Sequence, residues 1–139
     1  MSGQKSGSSV NLEELRAKGK EEPIASWLNM RLLELSPGYA KVAMKLTPEC
    51  MNFNGMVFGG IVMSVADQAF AYATNSLVSP SIATQFNIYL IAGAAAGDEL
   101  RAECKVVKSG RRIGISEMTV TNQNGKLIAK ATGTTVVVS

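Results

Sequence analysis

The sequence predicts an α+β fold in which an antiparallel sheet of five to six strands wraps around one long central helix. Three observations carry that expectation. Residues 52–76 open on Asn52, Asn54 and Gly55, pass a Gly59-Gly60 pair, and continue for nearly twenty residues without Pro or Gly. That run is dense in Ile, Val, Met, Ala and Phe, which at this length reads as one helix of about five turns. Beyond Pro80 the chain breaks into short strand-like runs divided by turn signals. A sheet with one face to bury and a single long apolar helix are each other's natural cover.

The N-terminal elements are short. Residues 1–10 are rich in Ser and Gly and read as a disordered start, with 11–139 as a single domain. Asn11 is placed to cap a helix whose first turn holds Glu13 and Glu14, where the helix dipole favours acids. Gly19 and Pro23 divide that stretch into two pieces, the second docked by Trp27 and Leu28. Ser36-Pro37-Gly38 is a turn between two strands. In 39–46, Val42, Met44 and Leu46 alternate with Lys41, Ala43 and Lys45, the pattern of a half-buried strand.

Four further strands follow the central helix, at 83–91, 98–108, 112–121 and 126–138. Gly93 to Gly97, Ser109-Gly110 and Asn124-Gly125 separate them, the last as a two-residue hairpin signal. Ile113 and Ile115 share one parity and Met118 and Val120 the other, which predicts a β-bulge near Ser116-Glu117. The closing strand is long and β-branched; at a sheet edge it would need pairing, and a dimer is the natural remedy.

Composition removes whole classes of function. The 139 residues contain no histidine, which eliminates Ser-His-Asp and Cys-His nucleophiles and histidine-bearing metal sites. Cys50 and Cys104 cannot form a zinc site alone and read as free thiols in a reducing cytoplasm; no metal is expected. A formal charge of +3 without a Lys/Arg run gives no reason to expect nucleic acid. No apolar stretch reaches membrane-spanning length, and the start lacks a secretory signal. Catalysis, if present, runs on carboxylates, amides, hydroxyls, lysines or backbone donors.

Asp67 stands inside the apolar helix, which looks covered on nearly every face. A buried carboxylate needs either a structural partner or a chemical task. Gly59-Gly60 is either a tight turn or a source of unpaired backbone N–H groups, and Asn52 and Asn54 read as turn formers.

These residues carry a resemblance. The Pro37-Gly38-Tyr39-Ala40 turn, the loop from Asn52 to Gly60, Ser64-Val65-Ala66-Asp67, Ala69-Phe70-Ala71-Tyr72-Ala73 and Ser109-Gly110-Arg111 resemble the hotdog-fold acyl-CoA thioesterases, and within them the phenylacetic acid degradation family. The resemblance implies a homodimer, assembled as a dimer of dimers, with active sites at the subunit interface. Asp67 would be the nucleophile or general base, Gly59 and Gly60 the backbone oxyanion donors, and Asn52 the group that orients water or carbonyl. Lys108, Arg111 and Arg112 would hold the coenzyme A phosphates, and Phe58 and Thr84 would contact substrate. The substrate would be a small aryl- or medium-chain acyl-CoA, and no cofactor beyond its coenzyme A moiety is implied. Phe58 stands where the family carries histidine, and Ala83, beside Thr84, near its strand hydroxyl. A non-catalytic acyl-CoA-binding protein is therefore the alternative, and a hydratase, which needs histidine, is disfavoured.

Overall fold

A computed structural model describes residues 10–138. Apart from Val10, the expected disordered start lies outside the described residues. Helix α1 (Leu12–Lys20) begins where Asn11 Oδ1 accepts the amides of Glu13 and Glu14 at 3.0 and 3.2 Å. Glu21 and Glu22 separate it from α2 (Pro23–Leu28), which starts on a proline suited to a first helical turn. The division at Gly19 and Pro23 is as expected, but the docking residue is not. Trp27 is 80% exposed, and α2 meets the body of the protein through Ala25 and Leu28, one turn apart on its inner side.

Strands β1 (Met30–Ser36) and β2 (Tyr39–Lys45) form a hairpin, after which a short 3-10 turn at Pro48–Cys50 leads toward α3 (Gly59–Asn75). Strands β3 (Ser81–Leu90), β4 (Glu99–Ser109), β5 (Ile113–Thr121) and β6 (Leu127–Val137) complete one antiparallel six-stranded sheet, ordered β1-β2-β4-β5-β6-β3. The meander is thus β4-β5-β6, while β3 crosses to the far side and pairs with β6. The closing strand β6 is interior, not an edge; the long exposed edge is β3.

The sheet curls around α3. Val62, Val65, Ala66, Ala69, Phe70 and Ala73 of the helix meet Val42, Met44, Leu100, Ala102, Met118 and Ile128 of the sheet, all essentially removed from water. Small alanines let the helix lie close, and the Phe70 ring fills the gap left by Gly133, whose Cβ, if present, would overlap it. Both cysteines are buried and unpaired. Among the described residues, no helix is long and apolar enough to cross a membrane.

Two local expectations change. Strand β5 pairs regularly with β6 from Ile113 to Val120, so no bulge lies at Ser116-Glu117. The extra residue sits across the ladder on β4, between Val106 and Lys108, while Ile113 and Ile115 point outward and Ser116, Met118 and Val120 inward. The β5–β6 connection is also longer than two residues. Asn122 N–H donates to Lys126 O, its Oδ1 accepts from Asn124 and Lys126 amides, and Gly125 takes φ +80°, the left-handed position that ends such a loop.

Candidate active site

The loop before α3 is a compact turn. Asn52 N–H donates to Met56 O at 2.7 Å, while its side-chain Oδ1 accepts the amides of Asn54 and Met56 at 2.8 and 3.2 Å. Those bonds fix the amide plane and leave Nδ2 as the donor face of Asn52. Val57 N–H to Ala94 O and Phe58 N–H to Cys50 O then hold the chain as it enters the helix. Phe58 is the N-cap residue, extended at φ −66° and ψ 131°, and phenylalanine supplies no capping oxygen. Its carbonyl accepts from Ile61 and Val62. The amides of Gly59 and Gly60 have no hydrogen-bond acceptor among the described residues, so two adjacent donors face outward at the positive end of the helix dipole.

The glycines are small for a reason visible in their surroundings. A Cβ on Gly59 would lie 2.8 Å from Leu90 Cδ1, and one on Gly60 2.7 Å from Phe58 Cε2. The half-exposed Phe58 ring therefore lies over the helix start, where it can meet a bound acyl group but offers no hydrogen bond.

Asp67 departs from expectation. It is not enclosed by the sheet but lies on the uncovered stripe of α3 with Gly60, Met63 and Ala71, spaced at helical intervals. Its carboxylate is still held above its ordinary pKa of 3.8, first by partial burial and second by the negative charge of Glu22. A carboxylate shifted that way is a stronger base once ionised. The amide of Gln68, next in sequence, donates to Glu22 Oε1 at 2.6 Å. Neither Glu22 nor Gln68 was marked by sequence: the contact spans 46 residues, and no local pattern encodes it.

The remaining candidates divide. Thr84 is the extra residue of a bulge between Ala83 and Gln85, exposed on edge strand β3, with only a long 3.4 Å bond to Thr134 O. Strand β3 runs antiparallel to α3, with Ser81 tied to Asn75 and Leu90 against Gly59. Rise per residue then sets Thr84 about level with Asp67. Lys108, Arg111 and Arg112 are exposed around the β4–β5 turn and make no ion pair among the described residues. That turn neighbours Thr74, Leu77 and Val78 at the C-terminal end of α3. Within one chain the cations are therefore not gathered with the glycines.

A groove of about 350 Å³ runs beside α3, lined among others by Lys18, Gly19, Glu22, Gln68, Tyr72 and Asn75. The described residues contain no cluster of three or more Cys, Asp or Glu able to hold a metal ion.

Comparison with known proteins agrees with the fold. The family model described as thioesterase superfamily matches residues 54–129, the segment from the active-site loop into β6. A protein of Archaeoglobus fulgidus is 39% identical over 83% of this chain and 75% of its own. Acyl-coenzyme A thioesterase PaaI of Escherichia coli is 31% identical over 79% of each chain. The solved structure of E. coli PaaI superposes with a TM-score of 0.88, covering 91% of this chain and 92% of that one at 28% identity. A Streptococcus mutans structure bound to acetyl-CoA covers 80% of this chain and 90% of its own, with a TM-score of 0.77 at 26% identity. With a six-stranded sheet around one helix, unpaired glycine amides at the start of that helix and a family match across its site, the chain belongs to the thioesterase superfamily, among its hotdog-fold acyl-CoA thioesterases.

Proposed function

We propose that the protein hydrolyses small aryl- or medium-chain acyl-CoA thioesters in sites shared between two copies of the chain. The observation that carries this reading is the separation of the two halves of the site along one helix face. Gly60 and Asp67 are seven residues apart, about 10 Å at 1.5 Å per residue. One carbonyl group cannot lie within bonding distance of both. A second copy supplies the missing half: Asp67 of one protomer faces Gly59 and Gly60 of the other.

The β3 edge supports that assembly. It is ten residues long, unpaired on its outer side, and carries exposed Ile82, Tyr89 and Leu90. Exposed Met56, Phe58 and Met63 extend the apolar strip toward the start of α3. Edge-to-edge pairing of two β3 strands satisfies the backbone and covers this surface. Exposed Val107, Ile113 and Ile115 on the outer sheet face suit a further, back-to-back association of dimers.

In the shared site the thioester carbonyl oxygen accepts from the Gly59 and Gly60 amides and from Asn52 Nδ2. Negative charge grows on that oxygen as the carbonyl carbon becomes tetrahedral, and these preoriented donors stabilise it. Asp67 removes a proton from water as the water oxygen attacks, or attacks the carbon itself to give an anhydride that water then opens. The C–S bond breaks, the thiolate leaves with its electron pair and takes up a proton, and the products are a carboxylic acid and coenzyme A. Lys108, Arg111 and Arg112, exposed and without an ion pair among the described residues, would hold the phosphates of coenzyme A. The E. coli relative named for acyl-CoA hydrolysis and the S. mutans neighbour holding acetyl-CoA support the substrate class.

The test is free-thiol release from phenylacetyl-, benzoyl- and medium-chain acyl-CoAs by wild type and Asp67→Asn, with molecular mass followed in solution. Turnover that collapses in the variant while the assembly persists supports the reading; turnover that survives removes Asp67 from the chemistry. Phe58, lying over Gly60 without a hydrogen-bonding group, favours one alternative. Saturable acyl-CoA binding with no turnover in wild type would make this a binding protein.

A further inference from the structure

The groove between α1 and α3 holds a side chain that the fold leaves without a partner. Tyr72 stands on the flank of α3 that meets α1, and only 8% of it reaches water. Its phenol hydroxyl makes no hydrogen bond among the described residues and opens into the groove. A hydroxyl so placed is costly unless something from outside completes it. Gly19 makes room for the ring: a Cβ there would overlap Tyr72 Oη and lie 2.7 Å from Cζ. Gly19 lies inside α1, where glycine weakens a helix, and the tyrosine accounts for its place. Phenylalanine would fill the same space with no unpaired group, so the hydroxyl itself is the feature to explain.

The other buried polar groups of the groove are engaged. Gln68 Nε2 donates to Glu22 Oε1 at 2.6 Å. Asn75 Nδ2 donates to Ala71 O at 2.9 Å, and its Oδ1 accepts from Ser79 Oγ and the Ser81 amide. Lys18 is exposed at the rim, while Leu15, Ala71 and Pro80 supply apolar wall. About 350 Å³ of space with apolar walls and one free, sheltered donor has the form of a small-molecule pocket. Its place along α3 ties it to the site already described. Ala71 is both a wall of the groove and the residue that follows Asp67 on the uncovered stripe, one turn on, where side chains stand about 5–6 Å apart. Tyr72 is five residues beyond Asp67, about 7.5 Å along the axis, a span that an aryl or medium-chain acyl group covers. The Phe70 ring, on the opposite flank, meets Phe86 of β3 at 5.9 Å, so the groove faces away from the β3 edge.

We propose that this groove receives the acyl group of the thioester and that Tyr72, seated against Gly19, is a specificity-determining residue. Its hydroxyl selects acyl groups that carry an oxygen, as a hydroxyl or a carbonyl, at the end far from the thioester. The Glu22 carboxylate in the same wall favours an uncharged oxygen over a second carboxylate. The proposal rests on the reading of Asp67 as the reacting end of the site.

The experiment uses the full chain and two matched pairs of substrates, phenylacetyl- with 4-hydroxyphenylacetyl-CoA and hexanoyl- with 6-hydroxyhexanoyl-CoA. Thiol release gives the ratio of kcat/KM within each pair for wild type, Tyr72→Phe and Gly19→Ala. Wild type favours the hydroxylated member of at least one pair by about three- to tenfold, the worth of one hydrogen bond. Tyr72→Phe, which keeps the ring and loses only Oη, brings that ratio close to one. Gly19→Ala, which drives Oη from its seat, lowers it as well. A purely structural role would slow both members together and leave the ratio alone. A wild-type ratio close to one in both pairs overturns the proposal, and so does a ratio that Tyr72→Phe leaves unchanged. If wild type hydrolyses no acyl-CoA, the hydrolytic reading fails separately, and the same ratios read from Kd by calorimetry still decide the role of Tyr72.

Discussion

The oxyanion assignment rests on backbone groups, which ordinary side-chain substitutions cannot remove, but the helix start offers a way. Gly59 is the first residue of α3 and its N–H has no acceptor among the described residues. Proline is favoured at that position, since the N–H it lacks is unpaired in any case. The residue before a proline must be extended, and Phe58 already stands at φ −66° and ψ 131°. The structural cost of Gly59→Pro is then confined to Leu90 Cδ1, 2.8 Å from the new Cβ. That atom is the far end of a flexible side chain 55% exposed to solvent, and it can turn aside.

Gly59→Ala is the matched control, with the same Cβ contact and the N–H retained. If Gly59 N–H binds the developing oxyanion, its loss costs about 3–4 kcal/mol, a fall of roughly 10²–10³ in kcat. Thiol release should therefore show alanine within a few-fold of wild type and proline slower by about two to three orders of magnitude. Thermal melts should place both variants within a few degrees of wild type. A proline variant within about threefold of the alanine variant would refute the assignment, because no interaction of oxyanion strength would have been lost. Equal and severe loss in both would place the damage on Leu90 and refute it as well.

The proposed sharing of the site between two copies predicts complementation. Asp67→Asn and Gly59→Pro, each inactive alone, should regain about a quarter of wild-type activity when co-refolded in equal amounts, because half of the dimers are mixed and one of their two sites is intact. Activity no greater than the sum of the separate variants, with mixed dimers demonstrated by mass, would place both groups in one protomer's site. Asp67 also predicts a stability cost. Its folded-state pKa lies above 3.8, so the fold binds the proton more tightly than the unfolded chain does. That contribution is fully present below 3.8 and is lost as pH rises through the displaced value. Asp67→Asn should melt with wild type in acid and above it at neutral pH; an offset that does not change with pH would contradict the displaced pKa.

What the sequence made legible was local. Asn11 caps α1, Pro37-Gly38 turns β1 into β2, and the glycine pair opens a 17-residue helix, because each depends on neighbours a few positions away. Apolar density on the central helix was readable, but its open stripe was not. Apart from Asp67 itself the stripe carries only Gly60, Met63 and Ala71, none with a polar side chain, so its neighbours gave no sign of its exposure. Strand order was hidden for a related reason. Both β3 and β6 are long and β-branched, and only the crossover after α3 decides which becomes the edge. A bulge was read into β5 because Ile113 and Ile115 are apolar although they lie on the outer face, opposite Met118 and Val120; the alternation there is regular, and the extra residue is on β4. The glycine pair and the acid stood out as candidates from local sequence; the Glu22–Gln68 contact depended on a chain reversal no spacing records.

The features that leave a lone chain unsatisfied are gathered in one region. Two amides at the start of α3 lack acceptors, the β3 edge is unpaired, and Phe58, Met63, Tyr89 and Leu90 face water. Asp67 stands on the uncovered stripe of α3 with its pKa held above the ordinary value, first by partial burial and second by the charge of Glu22. Elsewhere α1 is capped, the inner strands are paired on both sides and the core is dry. Conflicts that concentrate in this way are what a functional site, where stability is exchanged for function, is expected to show. Their distribution also says how they are resolved. A second copy laid along β3 can pair the edge and cover the apolar strip, and a thioester carbonyl can occupy the amides. In the proposed assembly Asp67 lies across from the Gly59 and Gly60 amides of the second copy, where a carboxylate whose pKa is displaced upward can act as base beside a bound thioester.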